Sequence, residues 1–325
     1  MEEIKQSLTE IVKSLISEKK VEYVLGFEEG TLPLKSGPLY IEKEDDINRL
    51  IWNEYCNLNL VKFLLEEPHG KKIGIILKTC EIRSLIVLIN EKQINREDII
   101  IIGVPCSYGI IDFNKASKIL GGKEFSEFTK HGNDYIFKGV DFEKTIKLQD
   151  ILSDSCVYCK DKTPIEYDYL VKAPNEFKNI KEEDFDEYLD VIEFEKKTPK
   201  ERWAYFKKEL EKCTLCMACR NACPLCYCKT CFIDQNQPQW FDKTDDLSEK
   251  MLFHMTRAIH LAGRCTGCEA CTRACPEGID IHLLYKKLRK MTKDRWNVDK
   301  IGLGEPSVMG SYKMDDPQEF MVKED

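Results

Sequence analysis

The feature that most constrains this chain is a pattern of cysteines written twice near its C-terminal end. Cys213-x-x-Cys216-x-x-Cys219-x-x-x-Cys223-Pro224 is repeated residue for residue in Cys265-x-x-Cys268-x-x-Cys271-x-x-x-Cys275-Pro276. Three thiolates at intervals of three, followed by a fourth just before a proline, can ring an iron–sulfur cubane from one short loop. The fourth cysteine of such a run ligates the neighbouring cluster, so two copies predict two 4Fe-4S clusters close enough to exchange electrons. Zinc is the competing metal, since it also takes Cys-x-x-Cys pairs, but its sites usually hold such pairs apart with a longer loop. The spacing therefore predicts an electron carrier.

Composition sets the limits around that core. The chain has 325 residues, enough for two domains, and sixteen cysteines. Three observations oppose a secreted disulfide scaffold. Residues Met1-Glu2-Glu3-Ile4-Lys5 carry no leader pattern, and eleven of the sixteen cysteines crowd into two patches. The chain is also far longer than the small domains that need disulfide staples. A reducing cytoplasm, in an anaerobic or protected setting, is the expected location. No apolar run reaches the eighteen or so residues of a membrane span; the longest, around Ile73 to Ile89, is broken by Lys78, Glu81 and Arg83. The formal charge of −8 offers no basic stripe for nucleic acid.

Periodicity places the remaining elements. Residues 1–20 read as an amphipathic helix, followed by short apolar runs over Val21–Phe27 and Leu39–Ile41 with turn chemistry between them. A second helix is predicted over 45–67. Lys72–Leu77, Glu81–Gln93 and Ile99–Ile102 then read as strand, helix and strand, a parallel βαβ unit of an α/β domain. Ligands of such sheets gather at the carboxyl ends of the strands, where Cys80 and Cys106 fall. Thr198-Pro199-Lys200-Glu201 has the form of a helix start, and it closes a charged stretch over 178–200 that reads as a linker. Leu247–Leu261 and Ile281–Met291 are helical, so an α-helical dicluster domain is predicted over 201–292, after an α/β domain over 1–177 and before a tail over 293–325.

A second constellation joins Cys80 and Cys106 to Cys156 and Cys159. These four could ligate a third 4Fe-4S cluster; Cys156 and Cys159 could instead act as a redox dithiol or hold structural zinc, and Cys80 and Cys106 could be small buried hydrophobes. Cys226, Cys228 and Cys231 follow directly on the first run and are too dense for packing alone. They point to a further metal, with a fourth ligand from elsewhere, or to one of them replacing a ligand of the first cluster; Cys56 is the only cysteine left over. The histidines (His69, His131, His254, His260, His282) read as packing or surface groups, and Arg220, Arg264 and Arg273 adjoin cluster cysteines whose charge they could offset. No Gly-x-Gly-x-x-Gly or phosphate-loop pattern occurs, which disfavours a self-contained nicotinamide dehydrogenase.

Two resemblances follow. The helices around the paired motifs resemble the α-helical ferredoxin module of succinate dehydrogenase and heterodisulfide reductase subunits. Lys78-Thr79-Cys80-Glu81-Ile82-Arg83, with Ile102-Gly103-Val104-Pro105-Cys106 and Cys156-x-x-Cys159, resembles the beta subunit family of deazaflavin-coenzyme hydrogenases and dehydrogenases over roughly residues 20–175. That resemblance implies an α/β domain carrying a 4Fe-4S cluster on Cys80, Cys106, Cys156 and Cys159, often with FAD, for which Gly30 to Tyr40 is a candidate phosphate turn. In those hydrogenase subunits the ferredoxin motifs lie at the N-terminus, whereas here they close the chain. The order is similar to that in an iron–sulfur subunit of anaerobic sulfite reductase and in subunits that accompany heterodisulfide reductase. The function this implies is an electron relay between a flavoprotein or reduced cofactor and a heterodisulfide reductase-like, hydrogenase or formate dehydrogenase partner. The alternative is an FAD-containing subunit that itself oxidises or reduces a deazaflavin or nicotinamide.

Overall fold

The computed structural model describes residues 2–67, 70–106, 108–174, 186–298, 300–303, 307–308 and 314. His69, residues 178–185 of the predicted linker and most of the predicted tail lie outside the described residues.

The N-terminal region is built on a five-stranded sheet. Its strands are β1 (Tyr23–Glu29), β2 (Ser36–Ile41), β3 (Ile73–Leu77), β4 (Ile99–Gly103) and the two-residue β8 (Tyr169–Leu170), in the order β2-β1-β3-β4-β8. β1 and β2 form an antiparallel hairpin, while β1–β3, β3–β4 and β4–β8 pair in parallel. The parallel strands are near-continuous apolar runs because both faces are covered. Side chains alternate between two cores. Val24, Ile76 and Ile102 join the apolar stripe of the Glu2–Ser17 helix, whose Ile4, Leu8, Val12 and Leu15 are buried. Leu25, Phe27, Ile75, Leu77 and Ile101 face the opposite core.

That second core decides the architecture. It includes Ile82 and Leu85 of the helix Thr79–Asn90, which links β3 to β4. It also includes Leu210, Phe253, Leu261 and Tyr285 of the C-terminal helices Pro199–Glu211, Leu247–Leu261 and His282–Trp296. The cysteine-rich region therefore packs on one face of the sheet and shares its hydrophobic core. Arg83 donates to the Thr266 carbonyl at 3.0 Å, and the Ser84 and Thr266 hydroxyls lie 2.8 Å apart, so polar contacts pin the same junction.

Two elements differ from the sequence expectation. The helix predicted over 45–67 is not formed. Two short 3₁₀ segments, Glu44–Arg49 and Leu60–Glu66, stand there instead. Between them Ile51 bridges Phe27, and the side chains of Asn53 and Asn59 accept from Tyr55 N and Val61 N. Asparagine offers the backbone these local alternatives to a helix. A small antiparallel sheet, β5 (Glu127–His131), β6 (Asp134–Lys138) and β7 (Glu143–Lys147), was not anticipated. Tyr135, Phe137 and Ile146 carry its apolar face onto Ala116, Leu120 and Ile151.

The start of the Pro199–Glu211 helix follows its sequence signature. The Thr198 hydroxyl accepts from Glu201 N, and the Glu201 carboxylate accepts from Thr198 N at 2.8 Å. Trp203 of this helix is 57% exposed, whereas Leu210 is buried.

Candidate metal centre

The two cysteine loops repeat in backbone as well as in sequence. Leu215 and Gly267 occupy equivalent positions with φ of 53° and 73°, and Met217 and Glu269 with φ of 62° and 57°. Left-handed residues set between right-handed ones turn successive N–H groups inward, a concavity that binds anions and recurs at iron–sulfur sites. Leu215 N accordingly donates to Cys213 Sγ at 3.4 Å. Each loop runs into a single helical turn, Ala218–Asn221 and Ala270–Arg273, and those turns pack on each other.

The thiols interleave. Cys213 and Cys219 lie within electrostatic range of Cys275, while Cys223 lies within range of Cys271. Cys275 thus stands with Cys213 and Cys219 of the first run, and Cys223 with Cys271 of the second. Burial pushes Cys219 up to about 11 and Cys271 up to about 12, and Arg257 opposes both. Arg257 is 3% exposed and lies between the two loops, where it donates to the Cys219 carbonyl at 3.0 Å and to the Tyr285 hydroxyl. Sequence reasoning named the three arginines next to cysteines and missed this one. The only signal for it was its place on the inward face of the Leu247–Leu261 helix. His254, read as a packing residue, has its Nε2 3.4 Å from Cys213 Sγ. Of the named arginines, Arg273 is buried and holds the Asn57 carbonyl and the Ser153 hydroxyl. Arg220 pairs with Asp234 and Arg264 with Glu91.

The second constellation converges from separate elements. Cys80 opens the helix after β3, Cys106 follows β4, and Cys156 and Cys159 come from the turn Asp154–Val157 and the residues just after it. All four border one narrow cavity of about 60 Å³, and Cys268 of the second loop borders it too. Asn59 donates to Cys268 Sγ at 3.4 Å and Ile110 N to Cys156 Sγ at 3.3 Å. Gly109 allows the loop to close over Cys156: its φ is 81°, and a Cβ there would lie 2.8 Å from that of Cys156. Burial, reinforced by neighbouring thiols, raises Cys80 and Cys106 and pushes Cys156 up to about 12.

Four thiols so placed cannot all ionise on their own. A cationic iron centre favours the thiolate outright, so this donor set fits a cluster. Around the cavity stand Lys78, Arg83, Arg273 and Arg289, suited to a net anionic centre. Lys78 is itself buried, paired with Glu81 at 2.8 Å, and its ammonium lies 4.7 Å from the Phe27 ring centroid.

Cys56 stands apart from these groups. It is fully buried, accepts from Asn53 N at 3.4 Å, borders neither of the thiol-lined cavities, and burial pushes its thiol up to about 12. Cys226, Cys228 and Cys231 gather elsewhere, around a larger cavity of about 480 Å³. Cys226 lies against Cys223, which holds it down to about 5 with help from Arg257. Among the described residues no three thiol, imidazole or carboxylate groups close on the position of a single ion. No helix among them is long and apolar enough to cross a membrane.

The 4Fe-4S dicluster domain matches residues 209–279. Over 343 residues the chain is 21% identical to F420-dependent formate dehydrogenase subunit beta of Methanocaldococcus jannaschii, with 89% of each chain covered. It is 20% identical over 317 residues to F420-dependent formate dehydrogenase 1 subunit beta of Methanococcus maripaludis, covering 79% of this chain and 80% of that one. Among solved structures, a chain of the F420-reducing NiFe hydrogenase complex from Methanosarcina barkeri is 14% identical and covers 50% of this chain and 63% of its own, with a TM-score of 0.37. The chain is homologous to the two formate dehydrogenase subunits and carries a dicluster domain with two 4Fe-4S clusters.

Proposed function

We propose that this homologue of formate dehydrogenase beta subunits is the electron-relay subunit of a cytoplasmic, anaerobic redox complex. The observation that carries the proposal is the sharing of Cys268. It belongs to the second dicluster loop and also borders the cavity formed by Cys80, Cys106, Cys156 and Cys159. Those four cysteines hold a third 4Fe-4S cluster in this reading, and the interleaved Cys223 and Cys275 tie the other two together. When bound, the clusters supply one-electron transfer. The chain's own groups hold and bias them: amide N–H groups of Leu215 and Ile110 and the Asn59 side chain donate to cysteine sulfurs, and Arg257 and Arg273 are fixed buried cations. Such donors and charges raise a cluster's potential. The partner would be a catalytic subunit of the formate dehydrogenase type, with hydrogenase or heterodisulfide reductase-like subunits as the other candidates.

The F420 dependence in the relatives' names supports a second reading, in which the α/β region binds FAD and itself reacts with a deazaflavin or nicotinamide. A single experiment separates the two. Protein purified anaerobically is assayed for iron, sulfide, zinc and flavin, with an electron paramagnetic resonance (EPR) spectrum after dithionite reduction. A relay is expected to carry at least about twelve irons and to lose about four in Cys156→Ser with the dicluster signal retained. Stoichiometric FAD would shift the reading to an oxidoreductase subunit. Zinc without iron would overturn both.

A further inference from the structure

The cavity of about 480 Å³ on the side of the dicluster region is bordered by Cys226, Cys228 and Cys231, by His260, and by Asp234, whose carboxylate is taken up by Arg220 and Lys243. We propose that the three cysteines and His260 hold an additional iron–sulfur cluster with three thiolate ligands and one imidazole. The proposal deepens the relay reading and rests on it for the cluster's role, though not for its existence.

Four observations support the site. First, the three thiols come from one tight segment, Cys226-Tyr227-Cys228-Lys229-Thr230-Cys231, and border a common hollow. Second, His260 borders the same hollow. Phe232, next in chain to Cys231, meets the His260 ring edge-on with centroids 5.8 Å apart, and Arg264 holds the His260 carbonyl at 3.0 Å. Third, the remaining unassigned cysteine cannot complete the set, because Cys56 is sealed in the core among Asn53 and Lys78. Fourth, the cavity is cationic where an anionic cluster needs it: Lys62, Arg220, Lys229, Arg257 and Arg264 border it, against the single carboxylate of Asp234.

Size separates a cluster from a lone ion. A zinc ion bonded to thiolates at about 2.3 Å draws its donors tightly together, whereas a cubane spreads its ligands around a larger body. The thiols border an open space. An imidazole ligand replaces a negative thiolate with a neutral donor, and that substitution raises cluster potential in the histidine-ligated centres known elsewhere. Cys226 abuts Cys223, so the additional site adjoins the dicluster and the solvent at once. It is the position of an entry or exit point.

The test uses the full chain purified anaerobically. Cys228 is exposed, so Cys228→Ser is expected to fold, lose about four irons against the wild type, and keep the EPR signals of the dicluster. His260→Cys is expected to retain those irons and to lose a nitrogen hyperfine coupling that pulsed EPR resolves in the wild type. An unchanged iron count in Cys228→Ser would overturn the cluster, as would zinc in place of iron at this site. Retained iron loss in Cys228→Ser with no nitrogen coupling in the wild type would overturn His260 as ligand. Failure of the relay reading looks different: the Cys156→Ser variant would then show no loss of iron, whatever Cys228→Ser does.

Discussion

Two sets of cysteines in this molecule are built on opposite principles. The paired C-terminal loops draw most of their ligands from runs of eleven residues, and their shape comes from local backbone: left-handed residues at Leu215, Met217, Gly267 and Glu269. The N-terminal set draws one thiol from the start of a helix, one from the end of β4 and two from a turn some fifty residues further on. The sheet assembles it. A local site depends on its metal for order, because short loops bury little apolar surface, whereas a site assembled by a sheet keeps its frame without the metal. That contrast can be tested at several strengths.

The largest effect is expected from stripping the iron with a chelator under anaerobic conditions. Amide hydrogen exchange should then become fast across 213–223 and 265–275 while β3 and β4 stay protected. Loss of protection in the strands as early as in the loops would break the contrast.

Lys78→Met probes the frame itself. It leaves the Glu81 carboxylate buried without its partner, and breaking a buried pair typically removes about 3–5 kcal/mol. Denaturant unfolding should show that loss, with some of it recovered in Lys78→Met combined with Glu81→Gln. A single variant as stable as the wild type would mean that the pair contributes nothing to the sheet edge.

His282 probes the buried ion pair with Glu269, a residue that also accepts from Ser155 N of the N-terminal region. Burial disfavours its charge, but Glu269 at 2.8 Å, aided by Asp190, overrides burial and raises it to about 9. A raised folded-state value stabilises fully below the unfolded value near 6.5, and the gain fades as pH rises through about 9. Stability should therefore fall by about 3 kcal/mol between pH 6.5 and 9.5, and His282→Gln should flatten that slope. An identical slope in the variant would place the titration elsewhere.

The smallest effect is expected at Met217. Its left-handed conformation strains an ordinary side chain by about 1 kcal/mol, and glycine relieves that strain but gains freedom in the unfolded chain. Met217→Gly should change unfolding stability by less than about 1 kcal/mol and leave the iron content unchanged.

The same contrast explains what could be read from the sequence. The dicluster loops were legible because their chemistry is written in adjacent residues, and so was the Thr198 capping box. Cys80 and Cys106 could be placed at the carboxyl ends of two strands by hydrophobic runs alone. Their meeting with Cys268 could not be read, since it depends on Leu210, Phe253 and Tyr285 packing on the far face of the sheet. Arg257 and His254 escaped for the same reason: they act across the fold, on Cys219 and Cys213, and no spacing marks them. The helix expected over 45–67 failed because Asn53 and Asn59 bind their own backbone. The β5–β7 sheet was missed because its outer strands bury few side chains and alternate only weakly.

The interleaving of Cys223 and Cys275 has a consequence for biosynthesis. As the chain leaves the ribosome, Cys213, Cys216 and Cys219 emerge early, yet the fourth member of their ring is Cys275, beside Cys213 and Cys219. Neither ring can close until the second run has been made. On the proposed ligand set, iron delivered before the second run is made would meet an open-sided site.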